Sequence, residues 1–386
     1  MKILFLLPQP FYQERGSPID AHLAIRAMSE RGDSVDVLAF HEGLDMSYPN
    51  VRLYRIFHSR YLTNIRPGFS WKKVLCDMLL CYKTIKLMRR NEYDIIHAME
   101  EASFIALLVG SLFRVPFVYD MDSLLSRQLV DKYKYLRPFE GIFRYLESIP
   151  IKKAIAVAPV CKALGQEARK LGARWISLWQ DISLLHDNDT HDGLMDIRTV
   201  HSINAPIIMY IGNLESYQGI DLLIQSFALA RKERCLALVI IGGRPDDISK
   251  YRSLAQSLGC EESVFFLGPK PTDQVQGYMQ QADILVSSRV HGDNTPMKIY
   301  TYLHSGIPVL ATNLYTHTQV VTTDIAYLAE PRSEEFSRGM LALIEDKELQ
   351  RRITHNAVAF IEEHHVYACL RDSVHLLYGA IEKELS

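Results

Sequence analysis

Cysteine is scarce and scattered: the 386-residue chain holds six, at positions 76, 81, 161, 235, 260 and 369, with no C-x-x-C pair. That excludes a disulfide framework and a thiolate zinc site, and it fits reduced thiols in a cytoplasmic protein. Net charge is also close to absent, −2 at pH 7, so no field favours general nucleic-acid binding and no nucleic-acid partner is expected. No apolar run approaches the ~20 residues of a membrane-spanning helix. The opening MKILFLLPQP is too short for a signal segment and reads as a first buried strand. Internal repeats and low-complexity tracts are missing. No predicted strand is followed by G-x-G-x-x-G, which discounts a nicotinamide oxidoreductase. The only histidine- and aspartate-rich run, 186–192, is consecutive rather than set at ligand spacing, so no metal is expected.

What is present is the composition of an ordinary soluble globular protein, 48% hydrophobic and 23% charged. The length exceeds one core, which predicts two domains. Short apolar runs at Lys2–Leu7, Ser34–Leu38, Tyr93–Met99, Val115–Tyr119 and Lys153–Pro159 alternate with helical patterns, and Ile176–Leu178 reads as a last strand. A second series follows the polar stretch 186–192: Pro206–Gly212, Leu236–Gly242, Val264–Leu267, Ile284–Val286, Pro308–Ala311 and Ile325–Leu328. The expected division is 1–200 and 201–367, with a terminal helix, 368–386, returning to the first domain. Two such βα series predict two Rossmann-like, doubly wound domains.

The central stretch is Ile284–Gln319. A strand leads into a polar loop, Thr295-Pro296 looks like a helix start, and the helix is expected to end at Ser305-Gly306. Arg289, His291, Asn294, Thr295 and Lys298 lie in or beside that loop. Two cations at a helix N-terminus oppose its dipole unless an anion is bound there, which points to phosphate. Other candidates lie beyond strand ends, where parallel sheets bind ligands: His97, Glu100, Asp120 and Asp122 in the first half, Gly243 and Arg244 in the second. Asp120-Met121-Asp122 has D-x-D spacing, and either carboxylate could orient or deprotonate a hydroxyl. One of the two could equally cap the next helix. Likewise, Arg289 pairing with Asp293 on the surface and Lys298 on a solvated helix face are the plain alternatives.

His291-Gly292-Asp293-Asn294-Thr295-Pro296 and Gly306-Ile307-Pro308-Val309 resemble the donor-binding segment of the GT-B glycosyltransferases, in particular the retaining family 4. The resemblance extends more weakly over most of the chain. The family's pair of glutamates is not retained: His291 and Thr301 stand in their places. Asn213 and Gln218 fall where the family supplies an Arg and a Lys to the donor diphosphate. The resemblance implies a GT-B architecture, two domains facing each other across a cleft. It implies transfer of a hexosyl-type group from a nucleoside-diphosphate sugar to a hydroxyl of a lipid-linked, polysaccharide or other glycan acceptor, as in cell-surface polysaccharide biosynthesis. The donor is a substrate, and no separate cofactor is implied. By the same likeness Gly16, in the loop Arg15-Gly16-Ser17-Pro18, faces the acceptor, and the backbone before Lys270 reaches the base. Thr301 or Tyr302 would reach the ribose, Asp122 would position the acceptor, and Lys298, Arg289 and His291 would serve the reaction. A catalytically silent binder of nucleotide or carbohydrate, and a nucleotide-sugar epimerase on the same fold, remain open.

Residues 55–90 form a separate feature. Arg55, Arg60, Arg66, Lys72, Lys73, Lys83, Lys86, Arg89 and Arg90 oppose only Asp77, with Phe57, Tyr61, Phe69, Trp71 and Tyr82 interleaved. Trp71–Arg90 has an apolar helical period. Together these predict either peripheral contact with anionic lipid or a core-facing helix with a solvated basic face.

Overall fold

The computed structural model describes residues 1–13, 16–58, 61–63, 65, 70–185 and 194–385. Arg15, Arg60, Arg66, Phe69 and the expected linker at 186–192 lie outside them. The chain divides into two compact units, Met1–Asp181 with Tyr367–Ser386, and Ile182–Val366.

The first unit is a six-stranded parallel sheet: β1 Lys2–Leu7, β2 Ser34–Ala39, β3 Val51–Arg55, β4 Ile95–Met99, β5 Phe117–Met121 and β6 Ala156–Pro159, in the order β3-β2-β1-β4-β5-β6. The second repeats it with β7 Ile207–Ile211, β8 Ala237–Ile241, β9 Val264–Gly268, β10 Ile284–Ser287, β11 Val309–Thr312 and β12 Tyr327–Ala329, ordered β12-β11-β10-β7-β8-β9. Both orders are the doubly wound one, and each reverses direction beside its first strand, at β1/β4 and at β7/β10. The inner strands are continuous apolar runs because helices cover both faces. Ile207–Tyr210 and Ala237–Ile241 are buried throughout.

Two strand expectations change. Ile176 makes only an isolated bridge with Val157, so 176–178 adds no seventh strand. The edge strand β3 had no sequence signal, since VRLYR is half-exposed and charged. The helix after β10 is also shorter than its sequence suggested. It spans Lys298–His304, and Met297, not Asn294 or Thr295, is its N-cap, with no side-chain cap bond. Pro296 is spent in a tight turn, where its carbonyl accepts from Ile299 at 2.9 Å.

The last helix, Tyr367–Leu385, packs within the first unit against Gly16–Glu30. Arg31 ties it down by donating from Nη1 to Glu382 at 2.9 Å and from Nε to Asp33 at 2.7 Å. Asp33 is 1% exposed. Removing it takes two hydrogen bonds from the mostly buried Arg31 and leaves that cation Glu382 alone, so Asp33→Ala should cost about 3 kcal/mol. All three tryptophans, at 71, 175 and 179, lie in this unit. Urea unfolding followed by their fluorescence measures the loss.

Candidate functional site

In the second unit, two loops leave the sheet side by side at the β7/β10 reversal. One runs Gly212–Gly219 after β7, the other Ser288–Met297 after β10. They are stitched together: Val290 N–H donates to the Tyr217 carbonyl at 2.9 Å and Ser288 Oγ to the Gln218 carbonyl at 2.9 Å. Gly219 has φ +68°, and a Cβ there would lie 2.0 Å from the Ser288 carbonyl oxygen. Only glycine allows the approach.

The second loop wraps Arg289, which is buried. Its Nε donates to the His291 carbonyl at 2.8 Å and its Nη2 to Asn294 Oδ1 at 2.8 Å. The guanidinium carbon lies 5.2 Å from the Tyr217 ring centroid. Gly292 leaves room for it, since a Cβ there would come 2.2 Å from Nη2. His317 supports the loop from behind. Its Nε2 meets Ser287 Oγ at 2.8 Å and its Nδ1 meets Thr312 Oγ1 at 2.9 Å, while Thr312 Oγ1 donates to the Arg289 carbonyl at 2.6 Å. Burial pushes His317 down to about 3, so its ring stays neutral behind the loop.

Lys298 is the second basic side chain. Its Nζ is closed off from water and, among the described residues, has no hydrogen-bond partner. It rests 3.7 Å from the centroid of the Tyr210 ring. Burial, then the charge of Arg289, pushes its ammonium well below the usual lysine range. Thr295 Oγ1 and Gln218 Oε1 are likewise buried without hydrogen-bond partners. The loop backbone is held from outside: Thr316 Oγ1 donates to the Asn294 carbonyl at 2.7 Å and Gln319 Nε2 to the Asp293 carbonyl at 2.8 Å. A helix of seven residues provides little dipole, so the site's electrostatics rest on the two side chains.

The structure gathers Gln218, Arg289, Asn294, Thr295 and Lys298 on these loops and sets other candidates apart. His291 is exposed. Asn213 is exposed and bonded to the Tyr217 hydroxyl at 3.3 Å. Gly243, φ +85°, follows β8, where a Cβ would strike Leu214 at 2.4 Å. Arg244 is turned to Glu215 at 3.2 Å and Asp247 at 3.0 Å. Lys270 lies 5.4 Å from the centre of the Tyr278 ring. Thr301 Oγ1 accepts from Leu184 N–H at 3.2 Å. The Tyr302 hydroxyl accepts from Ile211 N–H at 2.7 Å and donates to its carbonyl at 3.0 Å. Those two hydroxyls hold the 184 backbone and the end of β7.

The first unit has its own polar centre at the ends of β4 and β5. His97, fully buried, places Nε2 3.1 Å from Asp120 Oδ2 and Nδ1 2.8 Å from the Tyr378 hydroxyl, and it stacks on Trp179. Asp122 is buried, and its Oδ2 has no hydrogen-bond partner among the described residues. Burial, then the charge of Asp120, pushes Asp122 well above the usual carboxylate range. Asp20 rises likewise through burial and the charges of Asp181, Asp122 and Asp120. Gly16 opens the helix that carries Asp20 and is exposed, with open space where a Cβ would be. Among the described residues, no three His, Cys, Asp or Glu side chains are grouped to hold a metal ion.

Residues 196–359 match the family model described as Glycosyl transferases group 1. A D-inositol 3-phosphate glycosyltransferase of Corynebacterium aurimucosum is 30% identical over 115 residues, 28% of this chain and 27% of that protein. Its counterpart in Corynebacterium efficiens is 26% identical over 344 residues, 80% of this chain and 76% of that protein. The chain thus matches about a quarter of the first relative's length and three-quarters of the second's. Among solved structures, a sucrose-phosphate synthase from Thermosynechococcus elongatus is similar with a TM-score of 0.81 at 16% identity, over 100% of both chains. HepE of Anabaena, solved with UDP-glucose, has a TM-score of 0.74 at 18% identity, over 98% of this chain and 100% of that one.

The aspartate cluster sets a pH dependence. Burial, reinforced by Asp120, pushes Asp181 up to about 7. The native state therefore holds a proton that the unfolded chain releases near 3.8. Its contribution is complete below that value and is lost as pH rises toward 7. Asp181→Asn should remove this slope. Thermal midpoints at pH 5 and pH 8 should differ less in the variant than in the parent.

Proposed function

We propose that this chain, a glycosyltransferase on an α/β two-domain GT-B architecture, moves a hexosyl group from a nucleoside-diphosphate sugar to an acceptor hydroxyl, with the second unit holding the donor. The observation that carries the reading is the Lys298 amine, buried beside Arg289 with no hydrogen-bond partner among the described residues. A buried amine left that way is costly. An anion beside it would restore its charge and supply the missing acceptor oxygens. HepE structures solved with UDP and with UDP-glucose support a nucleotide sugar as that anion.

The chemistry follows from where charge moves. As the bond from the sugar's anomeric carbon to the diphosphate lengthens, its electron pair passes to the diphosphate oxygen. Lys298 and Arg289 are already in place, closed off from water, so they stabilise that charge without reorganising. The rigid stitching of the two loops keeps them there. The acceptor hydroxyl loses its proton as it attacks, and Asp122, with one carboxylate oxygen lacking a partner among the described residues, is the group proposed to orient it and, in its ionised form, take that proton. Retention of configuration, membership of family 4 and a lipid-linked or polysaccharide acceptor are the finer parts of this proposal and follow from the motif resemblance.

A specific observation favours a second reading, a silent binder. Arg244, one of the candidates with Arg289 and Lys298 to replace the family's missing loop cations, is occupied by Glu215 and Asp247. Release of UDP from UDP-glucose in the presence of a glycan acceptor panel separates the two. Turnover is expected, and Lys298→Ala should lower it by about 2–4 kcal/mol, some thirty- to thousandfold. UDP binding without turnover by the parent would establish the silent binder. Donor consumption with no acceptor present would establish the epimerase.

A further inference from the structure

Three neighbouring helices of the first unit turn apolar stripes outward. Trp71–Met88 exposes Trp71, Leu75, Met78 and Tyr82, spaced at i, i+4, i+7 and i+11 along one face. Packed beside it, Ala102–Phe113 exposes Phe104, Leu108 and Leu112. That helix contains no charged residue, yet Leu108 is 61% and Leu112 64% exposed. Against its other side, Glu140–Lys153 and the short helix Lys134–Phe139 before it expose Tyr135, Phe139, Ile142 and Leu146. An ordinary surface helix puts its apolar stripe inward and its charges outward. Here three adjacent ones break that rule on the same side, and isolated exposed apolar residues would not do so.

The charge around this face selects its occupant. Residues 71–90 hold six Lys or Arg against one acid, Asp77, and of the six only Lys73 is ion-paired, with Glu101, among the described residues. Burial pushes Asp77 up to about 8, which removes most of its opposing charge. Exposed Lys86, Arg89, Arg90, Arg114, Lys134 and Arg137 lie on or beside the three helices. A second copy docking by the same face would set like charges against each other. An anionic lipid surface takes the apolar and aromatic side chains into its interface and pairs the cations with head groups.

We propose that the outward face of Trp71–Met88, Ala102–Phe113 and Lys134–Lys153 is a docking surface for an anionic membrane. The inference stands apart from the donor-site reading. It extends the expectation for 55–90 to two further elements; of the apolar period of that helix, Leu79, Ile85 and Leu87 face the core, while Val74, Leu75, Met78 and Tyr82 are exposed.

Flotation of the full chain with phosphatidylglycerol vesicles and with phosphatidylcholine vesicles tests it. The parent should float with the former and bind the latter at least about tenfold less, with binding weakened by salt. Leu108→Glu/Leu112→Glu should lose about tenfold of the phosphatidylglycerol binding while its thermal midpoint and its affinity for UDP stay at parent values. Lys86→Gln/Arg89→Gln/Arg90→Gln, which leaves the apolar stripes intact, should show the same loss. A parent that does not float, or a folded Leu108→Glu/Leu112→Glu variant that floats like the parent, overturns the proposal. So does a parent dimer that this variant converts to monomer, which would assign the face to a second copy.

Discussion

The structure of the two loops after β7 and β10 follows from a single constraint, the placing of a lysine amine where neither water nor, among the described residues, a hydrogen-bond acceptor reaches it. Isolation of this kind disfavours the charged form, and the neighbouring Arg289 disfavours it further. The Tyr210 ring under Nζ gives partial compensation through its π face. The rest of the local architecture resists the obvious relief, which would be rotation of Lys298 into solvent. The Tyr210 ring lies against it from the β7 side, and Gly212 leaves the space it occupies, since a Cβ there would come 3.1 Å from Nζ. The loop after β10 is pinned through His317, Thr312, Thr316 and Gln319.

The doubly wound topology explains why such a site forms here. At the β7/β10 reversal the chain turns away on opposite sides of the sheet, leaving two loop starts side by side with no connection crossing over them. Each loop is then free to tighten on the other. Gly219 permits contact with the Ser288 carbonyl, and Gly292 permits Arg289 to fold under its own loop. The same reversal in the first unit brings the ends of β1 and β4 together beside β5, where His97, Asp120 and Asp122 gather. One topology thus produces a cationic centre in one unit and a carboxylate centre in the other.

Much of the fold could be read from the chain because its inner strands are unbroken apolar runs with glycine at their ends. The run PIIMYIG gave β7, and LALVIIG gave β8, almost to the residue. Edge β3 was invisible because half-exposed, charged VRLYR lacks that signature. Arg289 and Lys298 stand out in the sequence as charge placed beside a strand end and a proline. Their burial does not, since it depends on Tyr210 and Tyr217, some eighty residues earlier by sequence count. His317 gave no sequence signal at all, and Asp20 and Asp181 join Asp120 and Asp122 only through folding. The helix-terminus argument for the anion was misplaced, because Pro296 closes a turn and the helix begins at Lys298.

Proton uptake on ligand binding tests the central idea most directly. If the Lys298 amine is neutral for want of an anion, then UDP binding must return its proton. Calorimetric titration with UDP at about pH 8, repeated in buffers of different ionisation enthalpy, counts that proton, since the diphosphate is already ionised there. The account predicts uptake by the parent chain and none by Lys298→Met. UDP binding by the parent with no proton taken up from pH 7 to pH 9 would contradict it.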